Sequence, residues 1–132
     1  MKTIKLFCAL ATVILAVSCN DNDNIQNNAI NGSWRLTEVL SDPGDGSGTF
    51  SPVVSSKTIN FSNDGTLTCN GDICNMTSEA SVVTTGTYTS AQNTINADCF
   101  GDYTYTYTIS GNTLIINYPC IEPCKAKFVR IL

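Results

Sequence analysis

Residues 103–109 alternate without exception. Tyr103, Tyr105, Tyr107 and Ile109 fall on one side of an extended chain, with Thr104, Thr106 and Thr108 on the other. A strict period of two marks a β-strand with one face turned to a core, and it is incompatible with a helix, whose apolar positions recur every three or four residues. The same theme of short β-branched and aromatic runs fills the chain from Gly32 onward. Such runs occupy 33–40, 57–62, 66–70, 82–89, 94–97, 103–110, 113–118 and 125–132. Gly, Asn, Asp and Pro separate them, as turn residues separate strands. Asn63-Asp64-Gly65 and Ser110-Gly111-Asn112 are tight-turn signals, and residues 90–93 suit a third turn.

Eight candidate strands with mostly short connections predict antiparallel neighbours rather than helical crossovers. An eight-stranded antiparallel up-and-down β-barrel removes both exposed sheet edges and has an interior wide enough for its own side chains or one small ligand. A two-sheet sandwich would carry nearly the same pattern. The length of 132 residues allows one such domain.

The first residues are an address rather than part of this domain. Lys2 and Lys5 precede a 12-residue, mostly apolar run at 6–17. That is short for a spanning helix but suits a signal-peptide core. The run ends in Leu15-Ala16-Val17-Ser18-Cys19, which resembles the lipobox of bacterial lipoproteins, although Ala16 stands where a larger apolar residue is usual. The resemblance implies a signal peptide over 1–18 and lipidation of Cys19; an ordinary secretory signal cut nearby is the alternative. Residues 19–30, with Asn20-Asp21-Asn22-Asp23-Asn24, read as a flexible acidic and Asn-rich tether. The acidic stretch also resembles the surface-export signal of Bacteroidota lipoproteins. Acyl chains would hold the protein to a membrane at about 0.8 kcal/mol per buried methylene. The expected location is therefore the cell envelope, at the outer membrane and with the body exported.

Charge and composition exclude whole classes of function. Seven basic residues face eleven acidic ones, and loss of Lys2 and Lys5 with the signal takes the net charge from −4 to −6. Such a chain repels nucleic acid. It has no histidine, which removes Ser-His-Asp and Cys-His catalysis and imidazole metal sites. Glu38, Glu79, Asp98, Asp102 and Glu122 have no spacing that marks a catalytic pair, and no phosphate-cradling or dinucleotide glycine motif occurs. We expect no enzyme, no cofactor and no metal; a four-thiolate zinc site is the remote alternative.

Two ends of the body carry a second resemblance. Gly32-Ser33-Trp34 opens the first strand, and Lys127-Phe128-Val129-Arg130-Ile131 closes the last. These are similar to the lipocalin superfamily, whose barrels begin with Gly-x-Trp and pack an arginine of the final strand across that tryptophan. The stretches 41–50, 59–66 and 120–124 also look like the lipocalin-like lipoproteins of Bacteroidota. The resemblance implies structural roles for Trp34 and Arg130, whose stacking contributes roughly 0.5–2 kcal/mol. It also implies a lipocalin-like barrel over 31–132 that holds a small hydrophobic molecule. The larger lipocalins' C-terminal helix has no counterpart here, and a shorter barrel has a shallower cavity. Ligand binding is then an analogy, since folds do not carry function by themselves.

The candidate ligand residues are Tyr103, Tyr105, Tyr107, Tyr88, Phe50 and Phe61, with Tyr118 sharing the role. Tyrosine packs its ring on apolar ligands and orients a polar end with its hydroxyl; the alternative is that these rings fill the barrel. The long connection 41–56 falls where lipocalins place a lid. Phe50 and 52–54 would cover the cavity, with Gly44, Gly46 and Gly48 supplying mobility; a plain surface turn is the alternative. Asp42 and Asp45 suit turn chemistry better than Ca²⁺. Among the cysteines, Cys8 leaves with the signal and Cys19 takes lipid. Export favours disulfides. Cys120–Cys124 closes a five-residue loop worth about 2 kcal/mol, and Cys74–Cys99 a longer one worth about 3 kcal/mol. Cys69–Cys99 is the competing pair, and Cys69 is otherwise left over. Two functions compete: a lipid-anchored barrel binding a small hydrophobic molecule, and a filled-core barrel acting as an envelope adaptor for an unknown protein partner.

Overall fold

The structure, a computed structural model, describes residues 29–99, 101 and 103–132. The signal peptide, Cys19 and the tether up to residue 28 lie outside the described residues, as do Phe100 and Asp102.

Among the described residues nine strands follow one another: β1 Gly32–Ser41, β2 Ser51–Pro52, β3 Thr58–Phe61, β4 Thr66–Cys69, β5 Thr84–Thr89, β6 Thr94–Ala97, β7 Thr104–Ser110, β8 Thr113–Tyr118 and β9 Cys124–Ile131. From β3 to β9 each strand pairs antiparallel with the next, β1 pairs antiparallel with both β2 and β3, and β1 also pairs with β9 from Ser33↔Ile131 to Ser41↔Cys124. That last pairing decides between the two all-β alternatives, because it closes β1 and β3 to β9 into an eight-stranded up-and-down barrel. The register of β1 slips between Leu36 and Glu38, where the Thr37 hydroxyl donates to the Lys127 carbonyl at 3.2 Å. An extra residue here bends β1, so that β3 pairs with its first half and β2 with its second.

Period two sets which side chains enter the barrel. Trp34, Leu36, Ile59, Phe61, Leu67, Ile95, Tyr105, Leu114, Ile116 and Phe128 face inward and are 2% exposed or less. Ile30, the last residue assigned to the tether by sequence, joins this core at 2%, and so does Ile73 from the connection between β4 and β5.

Three expectations need correction. The fifth strand begins at Thr84 rather than at Val82, and Val82 and Val83 are exposed. Their β-branched side chains suit a strand, but β4 has already ended at Cys69 and offers them no partner. Likewise β7 begins at Thr104, and Tyr103 is 52% exposed. Conversely, Ser51-Pro52 forms a short strand inside the long connection, through pairing with Glu38 and Val39.

Cys74–Cys99 and Cys120–Cys124 are disulfide-bonded, with Cα separations of 5.7 and 5.9 Å. Cys69 is a buried free thiol, and burial pushes its pKa up. The amide of Gly71 donates to its sulfur at 3.4 Å. A buried, protonated thiol is a poor nucleophile. Alkylation of the native protein is therefore expected to spare Cys69, and alkylation after denaturation without reductant to modify it. Peptide mapping that found Cys74 or Cys99 modified under those conditions would contradict the pairing.

Candidate functional site

The two barrel ends differ in chemistry. The tight hairpins after β3, β5 and β7 lie at one end with Ile30 and the end of β9. The long connections 42–57, 70–83, 98–103 and 119–123 lie at the other.

The hairpin end is closed. Arg130 sits with its guanidinium carbon 4.1 Å from the centre of the Trp34 ring. It donates to the carbonyls of Asn31 at 2.7 Å and Ala29 at 2.5 Å. The Trp34 indole N–H donates to the Ile30 carbonyl at 2.6 Å. Gly32 has a φ of +115°, and a Cβ there would stand 3.1 Å from the guanidinium, so the glycine of Gly-x-Trp lets the arginine approach. Phe61 and Tyr88 pack edge to face at 5.3 Å, and the Tyr88 hydroxyl donates to the Ser62 carbonyl at 2.6 Å. Tyr107 is buried at this end, with its hydroxyl beside Ser90. Three of the candidate ligand residues, Phe61, Tyr88 and Tyr107, thus fill the closed end.

Tyr103 and Tyr105 are the members of the tyrosine stripe at the other end. Tyr105 packs edge to face on Tyr118 at 5.2 Å, and its hydroxyl donates to the Cys99 sulfur at 3.1 Å. Tyr103 points outside the barrel. Phe50 lies half-buried on the outer wall, under the Lys127 ammonium at 4.2 Å, where Lys127 also pairs with Glu38 at 2.6 Å. Phe50 therefore covers the seam between β1 and β9 and not the barrel mouth.

The connection 42–50 is held rather than loose. The Asp42 carboxylate accepts from the amides of Gly44, Gly46 and Gly48 at 2.7, 3.0 and 2.7 Å. These bonds, from Gly48 first and then Gly44, hold its carboxyl below the usual range. The Asp42 amide in turn donates to the Pro123 carbonyl at 3.0 Å. The glycines expected to give mobility give amides to this nest instead.

The segment that covers the mouth is 70–83. Ile73 inserts into the core, Met76 packs against it, and the Cys74–Cys99 disulfide ties the segment to the end of β6. Beneath it lies Lys57, which is 0% exposed. Its ammonium donates to the carbonyls of Asp72, Asn75 and Thr77 at 2.5, 2.9 and 3.1 Å, using all three protons. Burial pulls the Lys57 pKa below the ordinary lysine value, with Cys69 and Asp72 pulling weakly the other way. Nothing in Ser55-Ser56-Lys57-Thr58-Ile59 distinguishes this lysine from a solvated one at a strand's start, so sequence reasoning missed it. Ile73 and Met76 were missed for the same reason: they sit in a polar, strandless stretch.

A cleft of about 310 Å³ opens between this cover and the barrel rim. Met76, Tyr103, Tyr105, Tyr118 and Pro119 line it, together with Cys74, Asn75 and Cys120. Tyr118 is the unusual member. Its hydroxyl is buried and finds no hydrogen-bond partner among the described residues, and burial drives its pKa far up.

The tyrosines make alkaline stability a test of this arrangement. Burial raises the pKa of Tyr88, Tyr105, Tyr107 and Tyr118 above 10.0. Above about pH 10 the unfolded chain releases protons that the folded protein retains, so stability is present below that pH and lost as pH rises. Tyr118→Phe is expected to stabilise the protein by about 1 kcal/mol at neutral pH, by removing an unpaired buried hydroxyl. It should also flatten the alkaline loss, which approaches about 1.4 kcal/mol per pH unit for one fully buried tyrosine. Urea unfolding at several pH values checks both, and a destabilised variant would show that the hydroxyl has a partner.

A family model described as a lipocalin-like domain matches residues 30–126. No curated protein and no solved structure matches the chain.

Proposed function

Because the chain belongs to the lipocalin-like domain family, we propose that it is a lipid-anchored lipoprotein of the cell envelope whose barrel takes a small, mostly apolar molecule at its mouth. The observation that carries this reading is the cleft of about 310 Å³ lined by Met76, Tyr105, Tyr118 and Pro119. Its size lies at the lower end of small-molecule sites, and it combines aromatic and thioether walls with few polar groups, as such sites do. The mouth, not the centre of the barrel, is the place for a ligand, because Trp34, Phe61, Tyr105 and Phe128 fill the interior at 2% exposure or less. Of the ligand candidates drawn from the sequence, Tyr103, Tyr105 and Tyr118 line the cleft, and Met76 joins them.

Lipidation at Cys19 and export are supported by the apolar run at 6–17 and the lipobox-like residues 15–19. On this reading the barrel hangs from the membrane by the tether, with its hairpin end nearest the anchor, since Ile30 enters there. We take the role to be non-enzymatic, on the histidine-free sequence and its lack of a catalytic pair of carboxylates.

The filled interior favours a second reading, a barrel that acts as an envelope adaptor through its loops. Native mass spectrometry of the protein purified from its own host separates the two. A co-purifying small molecule, absent from a variant whose cleft is closed by Met76→Trp, is expected for the first. A bare polypeptide in every preparation would leave the adaptor.

A further inference from the structure

Outside the barrel, the wall formed by β4, β5, β6 and β7 is not flat. It carries a groove of about 710 Å³ that shares Tyr103 with the cleft at the mouth and otherwise differs from it in lining. Register explains its contents. Thr66 pairs with Thr87, Thr87 with Asn96 and Asn96 with Thr104, so four polar side chains form one row across four strands. Thr68 pairs with Thr85, and the Thr85 hydroxyl donates to the Asp98 carboxylate at 2.7 Å, giving a second row. The Thr104 hydroxyl donates to the Asn96 side-chain oxygen at 2.9 Å. Tyr103, which the barrel leaves 52% exposed, lines the same groove. At Gly86, where a Cβ would meet the Asn96 carbonyl oxygen at 2.5 Å, β5 and β6 come together more closely than a side chain permits.

We propose that this groove is a binding site for a neutral carbohydrate. The lining chemistry selects the class. Threonine hydroxyls and an amide both donate and accept, as the hydroxyls of a sugar do. An exposed tyrosine ring beside them offers a flat apolar face to the C–H side of a pyranose. Among the described residues no lysine or arginine lines the groove, which disfavours a polyanion, and threonine, asparagine and aspartate side chains make up about half of its lining, which disfavours a wholly apolar ligand. Among the described residues Asp98 is the single carboxylate lining it, too few oxygens for a cation cage. An extended peptide has no free edge to join, because β4 to β7 are paired on both sides. The groove's volume falls within the range of small-molecule sites. Thr108 and Thr113 are also outward-facing threonines, but they lie outside the groove.

The test is affinity electrophoresis of the full-length protein in native gels that contain an α-glucan, a xylan or a galactomannan, followed by NMR titration with the corresponding oligosaccharides. The expected result is retardation by at least one of these polysaccharides, weakened about tenfold, or ~1.4 kcal/mol, by Tyr103→Ala and by the near-isosteric pair Thr85→Val with Thr87→Val. All three positions are exposed, so the variants should melt with the wild type, which fixes the loss on binding. Retardation that the substitutions leave unchanged would overturn the proposal, because the sugar would then bind elsewhere. Mobility and spectra unaffected by every polysaccharide and oligosaccharide would overturn it as well.

Discussion

Trp34→Ala is expected to lower the stability of the barrel by about 3–5 kcal/mol, the usual cost of removing a large, fully buried aromatic ring. For a domain of this size that corresponds to a fall in Tm of more than ~12 °C. The loss has three sources. Trp34 is 0% exposed at the start of β1, its N–H holds the Ile30 carbonyl, and its ring supports the guanidinium of Arg130 on β9. Removing the ring therefore opens a cavity and also loosens the seam where the first strand meets the last. Arg130→Ala keeps the ring and should cost less, roughly 1–2 kcal/mol, from the lost cation–π contact and two charge-assisted hydrogen bonds. Thermal unfolding orders the two variants. If Trp34→Ala lost under about 1 kcal/mol, closure by this contact would be refuted.

Lys57→Met should destabilise the protein by about 3 kcal/mol. Replacing a buried ion by an apolar side chain is often neutral when its partners are replaced too. Here the partners are backbone carbonyls of Asp72, Asn75 and Thr77, which no side-chain substitution removes. Each carbonyl left dry and unpaired costs about 1–3 kcal/mol, although the methionine recovers part of this by avoiding ammonium desolvation. The cover over the mouth can relieve the penalty by lifting into water. The variant is thus expected to admit alkylating reagent to Cys69 under native conditions, where the wild type excludes it. Unchanged stability together with an unreactive Cys69 would show that the Cys74–Cys99 disulfide and Ile73 alone hold the cover. The pH dependence carries its own sign: the folded pKa of Lys57 lies below 10.5, so unfolding takes up a proton there. Its contribution to stability therefore grows as pH climbs toward 10.5, opposite to that of the tyrosines.

Much of the barrel was legible because its signals are local. Alternation of Tyr and Thr in β7, the Asp64-Gly65 turn, and β-branched runs between turn residues each act over a few positions, and the strands appear there. Closure was favoured by eight short-connected strands, which a sandwich would nearly match, and the resemblance of Gly32-Ser33-Trp34 and Arg130 to a known family reinforced it. The candidate site was read less well. Tyr103, Tyr105 and Tyr107 share a face by periodicity, yet they end outside the barrel, at its mouth and at its closed end. Strand tilt and strand length decide that, and neither is written in a period of two. Phe50 was placed over the mouth by analogy, whereas β2 pairs with β1 and carries it to the outer wall.

The sequence by itself determined the fold class, the turns, the alternation of faces along each strand and the acidic, histidine-free chemistry. These follow from residue type and from spacings of a few positions. Only the tertiary structure decided what covers the mouth, which tyrosine lacks a partner and where an outer row of threonines becomes a groove. Lys57 shows the reason. Its meaning comes from three carbonyls located 15, 18 and 20 residues away, and a contact of that kind leaves no mark on the residues beside it.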